Sequence, residues 1–188
     1  VPERIYSAME LAFQLHGRDA RKGSSIPYLS HPMSVCALVQ LDGRGEDEAI
    51  AALLHDVLED KADRISRQQI TERFGEKVMQ ILEVSIDVPP GYRGGEKPPW
   101  EERKLAYLEH ARSSDPSLLR VTIADKIDNS RAILADLQRI GDHVWDKFNA
   151  SKGKVLWYYQ ACVAAYEEAG YSGFLLEELR NLVKDMVS

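Results

Sequence analysis

Apolar residues recur three or four positions apart through most of the chain, the spacing that lines one face of an α-helix. Three such runs predict core-facing helices, with apolar positions at Ile5, Met9, Ala12 and Phe13, at Met33, Val35 and Leu38, and at Ile50, Leu53, Leu54 and Val57. A fourth run contains Val78, Ile81 and Leu82, and a charged amphipathic helix is predicted over residues 101–111. No strand-like alternation competes with these runs, so the pattern predicts an all-α fold, a compact helical bundle.

Start and stop signals mark further helices in the second half of the chain. Asp115 followed by Pro116 is a typical helix start, because aspartate caps free backbone amides and proline suits the first turn. The long helix that this pair opens is predicted to run through Leu137. Two more helices, with glycine stop signals between them, are predicted at residues 155–168 and 174–186, the glycines being Gly170 and Gly173.

Two segments interrupt the helical pattern and predict loops. The first covers residues 17–28, and the second covers residues 87–100 and holds four prolines and three glycines. Loops on a rigid helical scaffold often carry binding residues. The cations in these two loops are therefore candidate ligands for an anion: Arg21, Lys22, Arg93 and Lys97.

Length and charge narrow the classes of function. The 188 residues contain no long linker rich in proline, glycine or serine, so a single domain over residues 1–188 is predicted. No apolar run is long enough to cross a bilayer, which excludes a membrane role. The net charge of −6 argues against a broad DNA- or RNA-binding surface, because phosphate backbones need clustered cations. A local basic pocket for a small anionic nucleotide is compatible with this charge.

The cysteines and the first residues bear on cellular location. Cys36 and Cys162 lie far apart in no paired motif, so neither a disulfide framework nor a thiolate zinc site is predicted. Residues 1–4 lack the basic stretch and apolar core of a targeting segment. The expected location is a reducing cytoplasm, and a homo-oligomer is left open.

The chemically most informative stretch is the end of the third predicted helix. His55, Asp56, Glu59 and Asp60 close an otherwise apolar helix, and their spacing lets all four gather around one helix end. Three carboxylates this close repel one another. A bound divalent cation would offset that repulsion, and imidazole and carboxylate are suitable ligands for it.

One helix end cannot complete a metal site, because adjacent residues leave a helix about 100° apart. His31, directly before Pro32, and Asp125, within an apolar stretch, are the additional candidates. The predicted ligands are therefore His31, His55, Asp56 and Asp125, which leaves Glu59 and Asp60 to orient a water and accept its proton. Two imidazoles with two carboxylates favour manganese or iron over magnesium, with zinc left open.

The same residues also allow simpler explanations. His31 alone would be a capping or surface histidine, and Asp125 would form a buried salt bridge with Lys126 or Arg120 if neighbouring side chains faced the same way. The clustering of candidates favours the metal site over both. Three histidines that belong to no comparable cluster are assigned to packing or to the surface, which favours one metal ion over two: His16, His110 and His143.

The order of these motifs along the chain resembles the HD-domain superfamily, and in particular the hydrolase domain of the RelA/SpoT family and its stand-alone small alarmone hydrolases. The resemblance spans most of the chain, where a bare His-Asp pair would be weak support. The segments that carry it are Arg21-Lys22-Gly23, residues 27–32, residues 51–60, residues 100–104 and residues 124–129.

This resemblance implies an HD-domain helical bundle and one Mn²⁺ ion per chain, held by His31, His55, Asp56 and Asp125, with Fe²⁺ or Zn²⁺ as less favoured ions. It implies that Glu59 and Asp60 are the catalytic carboxylates. It also implies that Arg21 and Lys22 face a nucleotide and that Asn129 contacts its sugar. Lys97 and Arg103 are further candidates to neutralise phosphate charge. The implied reaction is attack of a metal-activated hydroxide on (p)ppGpp, which releases the 3′-pyrophosphate and leaves GDP or GTP.

Two features depart from the family pattern. Asp128 stands where many relatives carry His or Tyr, and an extra acid beside a polyphosphate disfavours binding unless it points away or pairs with a cation. The proline-rich loop at residues 89–99 is longer than the simplest family pattern. Two alternatives stay open: an HD phosphohydrolase acting on (p)ppApp, NADPH or another nucleotide, and a nucleotide-binding module without turnover. The intact Glu59-Asp60 pair argues against the second.

Overall fold

The structure, a computed structural model, describes residues 3–43 and 45–188. Val1 and Pro2, which belong to the segment used for the targeting prediction, lie outside this part. The α-helices are α1 Glu3–His16, α2 Ser30–Leu41, α3 Glu46–Leu54, α4 Val57–Asp60, α5 Arg67–Phe74, α6 Glu76–Ser85, α7 Trp100–Ser113, α8 Arg120–Ile140, α9 Lys152–Glu168 and α10 Phe174–Val187. Short 3-10 helices cover Pro116–Leu118 and Gly141–Lys147. The all-α prediction is confirmed, since the described residues form no strand, and none of their helices is long and apolar enough to cross a membrane.

Two helices organise the core. α8 lies between α2 and α10, while α3 packs against α1, α2 and α6. Every residue from Ala49 to Leu54 of α3 is buried, as expected for a helix that is surrounded by others. The chain segment that follows α3 therefore begins from a rigidly held point, and that segment carries His55 and Asp56.

The predicted core face is correct for α3 and α6 but wrong in part for α1 and α2. Met9, Phe13 and Met33 are 46%, 65% and 62% exposed. The buried face of α1 consists of Ala8, Leu11, Ala12 and Leu15. α1 carries two apolar stripes at helical spacing, and the stripe with two alanines allows α1 to approach α3 closely, which the bulkier stripe would prevent.

Helix boundaries also differ from the prediction at one start signal. The Asp115 side chain accepts a hydrogen bond from Ser117 N at 2.8 Å, but the turn that it caps is the 3-10 helix. The long helix α8 begins only at Arg120 and ends at Ile140, before Gly141 with φ 60°. The two C-terminal helices are confirmed, with Gly170 and Gly173 in positive-φ conformations between them.

The prediction missed α5, although its start is marked in the sequence. Ser66 and Gln69 form a capping box, in which the Ser66 hydroxyl accepts from Gln69 N and the Gln69 side chain accepts from Ser66 N. Both loop predictions are confirmed. The first loop contains a single antiparallel bridge between Ala20 and Pro27, which brings the ends of the Arg21–Ile26 turn together.

Candidate metal centre and active site

The chain bends between α3 and α4. The predicted continuous helix through residue 60 is wrong, because α3 ends at Leu54 and α4 begins at Val57. Adjacent residues of a regular helix diverge by about 100°, yet His55 Nε2 lies 3.1 Å from Asp56 Oδ2. The bend thus allows two neighbouring side chains to reach the same point.

Side chains from two other helices reach this point as well. His31, at the start of α2, places Nε2 3.1 Å from His55 Nε2. Asp125, on α8, places Oδ1 3.1 Å from His31 Nε2 and 3.7 Å from His55 Nε2. His31, His55 and Asp56 each offer one donor atom within 4.8 Å of the others. The four predicted ligands, which come from three separate segments of the chain, are brought together.

The donor atoms suit a divalent metal ion. Metal–nitrogen and metal–oxygen bonds of roughly 2.0–2.2 Å place neighbouring donors about 3 Å apart, and the measured separations within this cluster run from 3.1 to 3.8 Å. His31 and His55 are only 2% and 3% exposed. Two imidazoles and two carboxylates form the mixed nitrogen and oxygen set that first-row transition metals accept.

Both imidazole rings are oriented by a partner behind them. His55 Nδ1 lies 2.8 Å from the Ala52 carbonyl oxygen, and His31 Nδ1 lies 2.6 Å from Asp128 Oδ2. Each acceptor fixes a proton on Nδ1, so Nε2 is the ring nitrogen that faces the centre and can bind a metal ion once it is deprotonated.

Asp125 has two kinds of partner. Its Oδ2 accepts from Lys126 Nζ at 2.6 Å, while its Oδ1 accepts from Asn129 Nδ2 at 2.5 Å and faces the histidines. The salt bridge with Lys126, which the sequence favoured less than a metal role for Asp125, is therefore present, because the long lysine side chain folds back onto its neighbour. Arg120 instead pairs with Asp42. One carboxylate oxygen remains directed at the histidines, so the salt bridge is compatible with the metal role of Asp125, which stays a prediction.

Neighbouring charges shift the pKa values of the side chains in this cluster. Burial opposes the charged form of His55, but Asp56 and Asp125 outweigh it and hold the His55 pKa well above its usual range. Burial likewise opposes ionisation of Asp125, but Lys126, His31 and His55 hold its pKa well below the usual range. The carboxylates are therefore charged at neutral pH, the state in which they can bind a cation.

Glu59 and Asp60 lie beside this cluster, and both contact the ammonium group of Lys97. Lys97 Nζ is 3.1 Å from Glu59 Oε2 and 3.2 Å from Asp60 Oδ1, while Asp87 N donates to Glu59 Oε1 at 3.0 Å. Burial and the Asp87 charge raise the pKa of Glu59 to about 7, with Lys97 opposing them. Burial and the Asp56 charge raise the pKa of Asp60, although its side chain is 44% exposed. Glu59 can therefore take up and release a proton near neutral pH.

A cavity of about 870 Å³ opens onto the cluster. Among its lining residues, Arg21 Nη2 donates to Asn129 Oδ1 at 3.1 Å, and Lys22 Nζ donates to Asn149 Oδ1 at 3.2 Å. Arg103 pairs with Asp87 at 2.6 Å instead, and the neighbouring Lys104, which lines the cavity, contacts the same carboxylate oxygen. The substrate roles of Lys97 and Arg103 stay predictions, since both cations are engaged with carboxylates here.

Sequence reasoning missed three groups at this site. The Tyr28 hydroxyl donates to Asp56 Oδ2, and Tyr28 belongs to the segment that resembles the family, so its position could have been noticed. Asp87 carried no signal, because it follows a helix end in a proline-rich region. Asp128 was noted only as an unexpected acid, and its contact with His31 depends on tertiary structure. His16 packs against the Tyr28 ring with centroids 4.5 Å apart, as the packing assignment predicted.

Comparison with known proteins places these features in a family. Residues 8–154 match the HD domain family. The chain is 31% identical over 159 residues to the guanosine-3′,5′-bis(diphosphate) 3′-pyrophosphohydrolase MESH1 of Xenopus tropicalis, covering 83% of this chain and 79% of that protein. It is 32% identical over 132 residues to the guanosine-3′,5′-bis(diphosphate) 3′-pyrophosphohydrolase of Aquifex aeolicus. That match covers 70% of this chain but only 18% of the Aquifex protein.

Solved structures show the same fold. A metazoan ortholog of SpoT, described as hydrolysing ppGpp, superposes with a TM-score of 0.76 at 20% identity and covers 98% of this chain and 96% of that one. A protein from Listeria monocytogenes EGD-e superposes with a TM-score of 0.69 at 26% identity, over 82% of this chain and 96% of that one. The chain therefore belongs to the HD-domain family, among the relatives of the RelA/SpoT-type 3′-pyrophosphohydrolases that include the metazoan SpoT homologues.

Proposed function

We propose that this chain is a metal-dependent hydrolase that releases the 3′-pyrophosphate of ppGpp or pppGpp and leaves GDP or GTP. The observation that carries the proposal is the position of Glu59, whose pKa is about 7, at the edge of a cavity and beside the donor cluster of His31, His55 and Asp56. Asp125 lies against both histidines of that cluster. The names of the Xenopus and Aquifex relatives supply the substrate class.

The proposed metal site is one Mn²⁺ ion held by His31, His55, Asp56 and Asp125, with Fe²⁺ or Zn²⁺ as weaker candidates. A divalent cation bound there would lower the pKa of a coordinated water and offset the negative charge of the phosphates. Support comes from the mixed nitrogen and oxygen donor set, since magnesium prefers an all-oxygen shell.

The remaining steps belong to the chain's own side chains. Glu59 is proposed to accept the proton of the attacking water, because its pKa lies near working pH. Asp60, with Glu59, is held by Lys97, so the two carboxylates keep a fixed position relative to the donor cluster. Arg21 and Lys22 line the cavity and are proposed to neutralise the charge that develops on the diphosphate.

The volume of the cavity is compatible with the size of the proposed nucleotide substrate. Ligand pockets commonly span about 300–1,000 Å³, and 870 Å³ accommodates a nucleotide that carries two diphosphates. Asn129 lies one helical turn after Asp125 on the cavity side of α8 and is proposed to contact the sugar. The proposed partner is thus a small nucleotide and not DNA or RNA, which agrees with the net charge of −6. A cytoplasmic location is proposed from the cysteine usage alone.

The test is a panel of ppGpp, pppGpp, ppApp and NADPH, each incubated with Mn²⁺-supplemented protein and with the E59Q variant as the matched control. Intact pyrophosphate with GDP or GTP, absent with E59Q, is the expected result. Faster turnover of ppApp would move the proposal to an adenine alarmone. Release of orthophosphate from a 2′- or 5′-position would contradict it, and tight nucleotide binding without product would favour the non-enzymatic module.

A further inference from the structure

The carboxylate of Asp128 lies between a candidate metal ligand and a candidate substrate ligand. Its Oδ2 is 2.6 Å from His31 Nδ1 and 3.6 Å from Arg21 Nη2. The Ser34 hydroxyl also hydrogen-bonds to this carboxylate. The acid that departs from the family pattern therefore has partners on both sides and does not project freely toward a phosphate.

His31 is held by two acids from one helix. Asp125 and Asp128 are three positions apart on α8, so they share a face of that helix. Asp125 Oδ1 lies 3.1 Å from Nε2 of the imidazole, and Asp128 Oδ2 lies 2.6 Å from Nδ1. Because His31 is almost fully buried, its ring nitrogens depend on neighbouring side chains for their partners.

We propose that Asp128 is a positioning residue that fixes the ring of His31 and, through the same oxygen, restrains Arg21. The inference rests on the proposed metal site and deepens it. With its proton on Nδ1 donated to Asp128, His31 presents the Nε2 lone pair to the centre, and the ring cannot rotate without breaking a charge-assisted hydrogen bond. A partner of this kind is commonly worth about 10–100-fold in metal affinity.

The second contact links the metal side of the site to the nucleotide side. Arg21 Nη2 donates to Asn129 Oδ1 at 3.1 Å and lies 3.6 Å from Asp128 Oδ2. Asn129 in turn donates to Asp125 Oδ1. Removal of Asp128 therefore loosens His31 directly, so metal affinity should fall. It also removes the contact of Arg21 with Asp128 and leaves the contact with Asn129, so the KM for the nucleotide should rise.

The test compares D128A and D128N with a matched control on the same helix. Asp136 also lines the cavity and pairs with a cation, Lys147 at 2.6 Å, but it does not contact His31. Mn²⁺ is titrated into metal-free protein by calorimetry, after thermal unfolding of the metal-free proteins has shown that each variant folds. We expect Mn²⁺ to bind D128A about 10–100-fold more weakly, D128N to lie between D128A and wild type, and D136N to match wild type.

A spectroscopic measurement separates positioning from a general loss of structure. In ¹⁵N-histidine-labelled protein loaded with diamagnetic Zn²⁺, wild type and D136N should show a strongly hydrogen-bonded Nδ1 proton on His31 that is lost in D128A, while the Nδ1 proton of His55 is retained. Mn²⁺ binding to D128A or D128N as tight as to wild type would overturn this inference alone, as would an unchanged His31 Nδ1 proton in D128A. Wild-type protein that binds no divalent cation would overturn the proposed function together with it.

Discussion

His31 Nε2 and His55 Nε2 lie 3.1 Å apart, although 24 positions separate the two residues in the chain. Nδ1 of each ring donates to an acceptor on the side away from the cluster. The acceptor is Asp128 for His31 and the Ala52 carbonyl oxygen for His55. Two lone pairs would thus face each other at hydrogen-bond distance, which is unfavourable unless a proton or a cation lies between them. Asp56 and Asp125 flank the pair, so a cation also offsets their charge.

The first prediction concerns loss of this centre. H55A should abolish measurable Mn²⁺ binding and reduce hydrolysis of ppGpp to background, because one donor is lost and the remaining acids are left unbalanced. Mn²⁺ at about 100 times its Kd should stabilise the wild type by about 2.7 kcal/mol, and H55A should show no such stabilisation. Thermal unfolding with and without Mn²⁺ measures this. H143A, which changes an exposed histidine, is the control and should behave as wild type.

The second prediction separates metal binding from proton transfer. E59Q should bind Mn²⁺ nearly as tightly as wild type but lose about 10²–10⁴-fold in kcat, the range typical of a general base. The amide preserves the shape of Glu59 and can still accept from Asp87 N, whose hydrogen bond measures 3.0 Å. Calorimetry and steady-state kinetics on the same sample provide the two readouts. Wild-type turnover by E59Q would contradict the role assigned to Glu59.

The third prediction concerns pH. Since Glu59 must be ionised to accept a proton, kcat/KM should rise with pH through its pKa of about 7. Lys97 lowers that pKa, so K97A should move the acid limb of the profile to higher pH. R93A, which removes an exposed arginine of the same loop, serves as the control and should leave the limb in place. A K97A limb at unchanged or lower pH would contradict the electrostatic account.

The fourth prediction concerns the nucleotide side. R21A should reduce kcat/KM about 10–100-fold, mostly through KM, since hydrogen bonds to charged groups are worth roughly 1.5–3 kcal/mol. Arg18 belongs to the same loop and is exposed, so R18A tests whether a general loss of positive charge explains the effect. Equal losses in R21A and R18A would remove the specific role of Arg21.

The fifth prediction tests the corrected core face of α1. L11A should destabilise the fold by about 2–5 kcal/mol, because Leu11 is buried. M9A should change the free energy of unfolding by less than about 0.5 kcal/mol, because Met9 is 46% exposed. Chemical denaturation of both variants provides the comparison, and a reversed order would restore the face that the apolar pattern first indicated.

Local sequence patterns specify the helices and the candidate ligands, but not the contacts between distant segments. The helical period and the capping residues are properties of nearest neighbours, so the all-α fold and most helices were predictable. His31, His55, Asp56 and Asp125 could be nominated because buried or clustered charges require partners. The bend after Leu54 was not predictable, since helix-forming residues continue on both sides of it.

Contacts between residues that are distant in the sequence could not be predicted from local patterns. The contacts of Lys97 with Glu59 and Asp60 were not predicted, because they depend on where the 87–100 loop lies relative to α4. The role of Lys97 at a phosphate stays a prediction. Asp128 was expected to disfavour the substrate unless it pointed away or paired with a cation. It lies 3.6 Å from the cation Arg21, but its contact with His31 was not predicted. These partners follow from how α2, α4 and α8 are arranged in space, which no local pattern encodes.

The most direct test of the central claim is a titration of metal-free wild-type protein with Mn²⁺ while the release of pyrophosphate from ppGpp is measured. The rate should rise in proportion to bound metal, level off at one ion per chain and return to background when a chelator is added. Full hydrolysis by the metal-free protein, or a rate that levels off only at two ions per chain, would contradict the single centre formed by His31, His55, Asp56 and Asp125.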